Sequence, residues 1–188
     1  MMDVNEFDAS GWIPQWGEGG EEIDRHREGL LSCVGHQIVD SWLVWNLAND
    51  EWFADLPVVL MLDDGRQLEV CWWKLDELSI TWNSVDVNHA PTAWSGGRPL
   101  IWRSQAHHAL EAVNGGTISG LASTEHRMTT RRLATGESPD DIQGSSWLFS
   151  GLLLATDRGQ LHIFNALDEN GLENETGEVG PYFRVTQI

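Results

Sequence analysis

Two apolar patterns alternate along the chain. Val58 to Leu62 (VVLML) is apolar without interruption, the mark of a strand buried on both faces. The stretch QLEVCWW from Gln67 alternates instead: Leu68, Val70 and Trp72 fall on one face, Gln67, Glu69 and Cys71 on the other. Between them DDGR supplies a turn, with Gly65 open to a positive φ, so the pair predicts an antiparallel hairpin. HQIVDSWLVWNL upstream and LSITWNSVDV downstream read as further strands. GTISGLAS and HRMTTRRL are polar-alternating and predict two more, while ATGESPDDIQGSS (Ala134 to Ser146) is a loop by composition. Gln105 to Val113 (QAHHALEAV) places Ala106, Leu110 and Val113 at helical spacing and stops at NGG, a C-cap signal.

The hairpin is written twice. LMLDDGRQLEVCWWKLDELSI (Leu60 to Ile80) and LLLATDRGQLHIFNALDENGL (Leu152 to Leu172) share an apolar run, a polar turn, a QL and a terminal LDE. Each copy predicts one hairpin whose QL begins the return strand and whose LDE marks the exit. Equivalent turns at DDGR and TDRG would place Leu68 and Leu161 alike, facing the core. The wider correspondence of residues 52–80 with 147–172 suggests an internal duplication. The fold expected is mainly β: an antiparallel sheet, meander, sandwich-like or half-rolled, with two similar hairpins and one short helix.

Residues 1–28 follow neither period. Their Gly, Glu and Asp clusters, with Phe7, Trp12 and Trp16, suggest a mobile acidic arm pinned by its Trp residues, ahead of a single mainly-β domain over 29–188.

Charge changes the picture most. The 188 residues carry 29 acids against 11 bases, a net charge of -18, with Lys74 the single lysine. The excess lies on the arm and both repeated segments, leaving residues 101–145 near neutral. Such a field opposes direct binding to DNA, RNA or an anionic membrane and steers a basic partner inward. No apolar run approaches the ~20 residues needed to cross a bilayer. The N-terminus lacks the basic and apolar regions of a signal peptide, and Cys33 and Cys71 are too few for a disulfide framework. A cytoplasmic protein is expected.

Catalytic signatures are missing. Asp76 with Glu77, and Asp168 with Glu169, are paired carboxylates of the kind that serve glycoside hydrolysis, but their LDE context favours turn chemistry. Adjacent His107 and His108 diverge by about 100° on a helix, so at most one faces a common ion. There is no G-x-S-x-G elbow, and GEGGEE is followed by acids that repel phosphate. No cofactor and no metal are expected.

The leading expectation is therefore a non-enzymatic acidic binding protein that inhibits or neutralises a basic protein partner, toxin-like or nuclease-like. Bacterial immunity proteins share this physical profile; the analogy is one of class, carried by charge and composition and by no motif. The binding residues expected are Asp50, Glu51, Trp52, Asp55, Asp76, Glu77 and Asp86, which flank strand ends where acids are dense and aromatics accompany them. The 11 Trp residues support an alternative, a carbohydrate-binding or glycoside-cleaving β-protein with Trp platforms and paired carboxylates.

Overall fold

The computed structural model describes residues 10–92, 99–131, 142–176 and 180–188. Its strands form two antiparallel sheets. The first holds β1 (Gly17–Glu18), β2 (Ile38–Asn46), β3 (Glu51–Trp52), β4 (Val58–Leu62), β5 (Gln67–Trp73), β6 (Glu77–Trp82) and β7 (Leu100–Ser104). Its order is β1-β6-β5-β4-β2-β3, with β7 also paired to β2. The second holds β8 (Ile118–Arg131), β9 (Ile142–Thr156), β10 (Gly159–Asn165), β11 (Asn170–Glu173) and β12 (Phe183–Gln187), in the order β11-β10-β9-β8-β12. Two helices, α1 (Gly19–Leu31) and α2 (His108–Val113), complete the fold. The mainly-β antiparallel expectation holds.

The main core draws on both sheets. Leu68, Val70 and Trp72 of β5 share one cluster with Leu152, Leu154, Leu161 and Ile163 of β9 and β10, and with Leu30 and Leu110 from the helices. Trp72 stacks on Phe149, ring centroids 5.4 Å apart. A second cluster, including Trp12, Val44, Leu56, Val59, Cys71 and Val85, covers the other face of the first sheet. Covering on both faces explains VVLML: Val58, Leu60 and Leu62 enter one cluster and Val59 the other. Glu69 lies beside the second cluster with no exposed surface. Its carboxylate accepts from the Thr81 hydroxyl at 2.6 Å and from the backbone N–H groups of Ser84 at 2.7 Å and Val85 at 3.0 Å. The charge is thus buried but hydrogen-bonded, and it draws the chain after β6 across the sheet.

Both repeated segments fold as three-stranded meanders, β4-β5-β6 in one sheet and β9-β10-β11 in the other. Leu68 and Leu161 are both fully buried in the shared core, as the repeat implied. The turns differ, however. Met61 pairs with Gln67 around Leu62 to Arg66, whereas Thr156 pairs with Gly159 around only Asp157 and Arg158. Leu68 therefore opposes Leu60, while Leu161 opposes Leu154 rather than Leu152. A slip of two residues preserves the buried face, so apolar patterning survives a change of turn.

Three expectations need correction. The arm does not stay irregular through residue 28: Gly19 to Leu31 is α1, whose Ile23 and Leu30 join the main core, and Trp12 is buried in the second cluster. The first nine residues lie outside the described ones. Ile118 to Ser123 of GTISGLAS and His126 to Arg131 of HRMTTRRL are parts of one strand, β8, and Ile142 to Ser146 of the expected loop belong to β9, while 132–141 lie outside the described residues. The helix begins at His108 rather than Gln105, with His107 as its N-cap. Among the described residues no helix is long and apolar enough to cross a membrane.

Candidate functional site

Register places most of the expected site residues. β2 runs antiparallel to β4, and β4 to β5, so the end of β2 lies at the same end of the sheet as the turn between β5 and β6. Asp50 and Glu51 follow β2, Asp55 precedes β4, and Asp76 and Glu77 leave β5; all five share that end. The second sheet brings its own acidic turn there. The Asn165 side-chain amide donates to the Lys74 carbonyl, and the backbone N–H of Asn170 to that of Ala54 at 3.1 Å. Asp168 and Glu169, both exposed, lie between those anchors.

Each of these turns also exposes a leucine: Leu47 at 51%, Leu75 at 50% and Leu167 at 85%. Leu167 and Asp168 hold positive φ values of 65° and 78°, which turn their side chains out of the β10-β11 hairpin. Two bases meet carboxylates at this end. Lys74 pairs with Glu77 at 2.9 Å, and Arg103 lies 3.7 Å from Asp50.

Two expected residues behave differently. Trp52 is half-buried against the main core, its ring 5.7 Å from that of His107, so it packs inward rather than standing free among the acidic turns. Asp86 lies past the opposite end of β6, its backbone N–H donating to the Ser10 carbonyl at 3.0 Å. The Asn88 N–H and the His89 ring hold its carboxyl below the usual range. The structure does not bring Asp86 to the acidic end.

The tryptophans are mostly structural. Trp72 has no exposed surface, and Trp16 sits between Trp12 and Trp73 at 6.0 and 5.6 Å. Arg103 lies over Trp45 at 4.5 Å and Arg184 over Trp147 at 4.4 Å, where a sugar platform needs a bare face.

A second feature escaped the sequence reading. The outer face of the second sheet holds a cavity of about 600 Å³ bounded by His126, Ser150, His162, Phe164, Glu173 and Phe183 among others. His162 is only 4% exposed. Its Nδ1 is 2.8 Å from Glu173 Oε1 and its Nε2 is 2.9 Å from the Thr124 hydroxyl. A carboxylate only accepts, so Nδ1 carries the proton and Nε2 accepts from Thr124, whose oxygen stands 3.3 Å from the Ser150 hydroxyl. Burial lowers the proton affinity of His162 against the opposing pull of Glu173, in keeping with that neutral tautomer.

Two glycines make this arrangement fit. A methyl group on Gly151 would collide with His162 Nε2 and come within 2.7 Å of the Thr124 hydroxyl; one on Gly171 would enter the Phe164 ring. The two rings stack on each other, centroids 5.1 Å apart. Ser150 reaches the cavity because it is the extra residue of a β-bulge, where Gly151 pairs with Thr124 and Phe149 with Glu125. Hydroxyl, imidazole and carboxylate stand in the order of a nucleophilic triad, yet Thr124 has no exposed surface on which to meet a substrate. The relay fixes the ring and aims Glu173. Period-two alternation put His162 and Phe164 on the outer face; what the sequence hid was the pairing of His162 with Glu173, which depends on the β10-β11 register.

Among the described residues no group of three or more His, Cys, Asp or Glu side chains is placed to hold a metal ion. The His107 and His108 rings lie tilted against each other, centroids 4.3 Å apart, and His107 accepts the Ala109 N–H at 3.2 Å. No protein-family model, curated protein or solved structure matches the chain.

Proposed function

We propose that the protein is a non-enzymatic, cytoplasmic binding protein that engages and neutralises a basic protein, toxin-like or nuclease-like, through the acidic end of its two sheets. One observation carries the reading: turns from both sheets converge there, each offering an exposed leucine, Leu47, Leu75 or Leu167, beside carboxylates. Apolar knobs ringed by like charge suit a partner with a complementary basic rim and apolar pockets. The net charge of -18 speeds encounter with such a partner and disfavours nucleic acid and anionic membranes. The buried, unpaired Cys33 and Cys71 suit a reducing compartment.

The test begins with the partner that co-purifies in fixed stoichiometry from native cells. Association rates are then measured from low to physiological salt for wild type and for Asp76→Lys with Glu77→Lys. The expected result is a rate that falls with salt and drops by about tenfold in the double variant at low salt. Rates indifferent to both changes refute the acidic end as the binding face.

A further inference from the structure

The cavity on the second sheet adjoins the acidic end, since Leu167 stands both in the exposed turn and at the cavity's rim. Its chemistry is narrow. Among the described residues that line it, Glu173 brings the one carboxylate and none is a lysine or arginine. One carboxylate oxygen is held by His162, and the other has no hydrogen-bond partner among the described residues. Around it stand flat rings: Phe164 stacked on His162, and Phe183 set edge-on to His126 at 5.2 Å. An anion would meet Glu173, and an apolar group would strip water from that carboxylate without replacing the lost bonds. A planar cation satisfies both features, pairing its edge with the carboxylate and laying its face on a ring.

We propose that this cavity receives an arginine side chain of the basic partner, its guanidinium bound by Glu173 and the Phe164 and Phe183 rings; the proposal rests on the partner reading above. The volume of about 600 Å³ admits the whole side chain with its flanking backbone and lies within the range of small-ligand sites. Gly151 and Gly171 let the ring pair lie flat on the sheet, so the carboxylate is aimed before any ligand arrives. Arginine is favoured over lysine because the stacked rings reward a plane, and an ammonium offers none.

The probes are N-acetyl-arginine amide, its lysine counterpart and its uncharged citrulline counterpart, titrated into the whole protein while the imidazole NMR signals of His126 and His162 are followed. Saturable shifts are expected with arginine, weaker ones with lysine and none with citrulline. Glu173→Gln keeps an acceptor for His162 but removes the charge, and should weaken arginine binding by about tenfold or more. Phe183→Leu, on edge strand β12, should weaken it several-fold and serves if the glutamine variant fails to fold. Absence of saturation, an equal response to citrulline, or unchanged binding in both variants overturns the proposal. The same variants separate the two readings in the partner assay. If the Asp76 and Glu77 reversals slow association while Glu173→Gln leaves affinity unchanged, the acidic face stands and the cavity falls. If arginine amide binds and Glu173→Gln abolishes it while no basic protein associates, the guanidinium site stands and the partner reading falls.

Discussion

The backbone N–H of Trp72 donates to the side-chain carbonyl of Asn170 across 2.9 Å, joining a strand of one sheet to a strand of the other inside the protein. The same amide donates to the carbonyls of Ala54 at 2.7 Å and Leu56 at 3.0 Å. It also faces the Cys71 thiol at 3.6 Å, which burial pushes up to about 12. Asn170→Ala would strand the Trp72 N–H and the Leu56 carbonyl in a dry interior, each at about 1–3 kcal/mol, while the Ala54 carbonyl keeps the backbone N–H of Asn170. A total loss of about 3–5 kcal/mol in urea unfolding is expected. Asn170→Asp, which keeps the acceptor but not the donors and adds a charge, should be no milder. A loss under about 1 kcal/mol for Asn170→Ala would show that the sheets are held without this link.

Leu68 and Leu161 occupy matching places in the two meanders, both without exposed surface. Truncating either to Ala should cost about 2–5 kcal/mol, through lost burial and the cavity left behind. Near-zero losses for both in urea melts would contradict the shared core.

His107 ties stability to pH. Burial, then the neighbouring His108, lowers its proton affinity from the ordinary 6.5, so the folded state favours the neutral ring that caps α2. The unfolded chain takes up the proton more readily, so this contribution is present above about pH 6.5 and is lost as pH falls below it. His26 and His162, also lowered by burial, act in the same sense. His107→Asn keeps a good cap without the titration. The unfolding free energy from urea melts should fall less between pH 7 and pH 5 in this variant than in wild type, by about 1 kcal/mol. Identical slopes would remove His107 from the account.

Gly151→Ala probes the cavity floor. The added methyl must displace His162 or Thr124, so a loss of about 1–3 kcal/mol with a moved His162 imidazole signal is expected. An unmoved signal would mean the ring has room to spare.

The proposed function predicts different effects for acids at the two ends of the first sheet. Asp168→Lys should slow association with the basic partner as much as Asp76→Lys does, because the two turns share one end. Asp86→Lys, at the opposite end of β6, should leave the rate within about twofold of wild type. Equal effects from all three would mean that net charge alone governs binding.

Strand alternation was readable wherever both pattern and side chain were apolar. Leu68, Val70 and Trp72 face the core as spaced, and the unbroken VVLML is buried on both faces. Helix α1 was hidden although its buried positions, Gly19, Glu22, Ile23 and Leu30, do fall at helical spacing. Two of them are not apolar side chains. A methyl group on Gly19 would stand 2.5 Å from Phe149, and Glu22 is buried beside Arg25 and His26, with burial raising its carboxyl above the ordinary range. The acidic residues were picked out by density, which placed Asp50, Glu51, Asp55, Asp76 and Glu77 together. Asp86 was misplaced because density along the chain is blind to which end of a strand a loop leaves from. Nor was the joining of the two LDE turns legible, since it depends on Asn165 and Asn170 reaching into the first sheet.

Turns drawn from both sheets have a consequence for synthesis. A chain growing on the ribosome can pair β2, β4, β5 and β6 once residue 82 has emerged, yet only part of the acidic end exists at that stage. The turn carrying Leu167, Asp168 and Glu169 arrives nearly ninety residues later, and Asn170 docks it just afterwards. A partially made chain, or one cut between the sheets, would therefore carry an incomplete acidic end, and under the proposed function it would engage a basic partner only once the two halves have closed on each other.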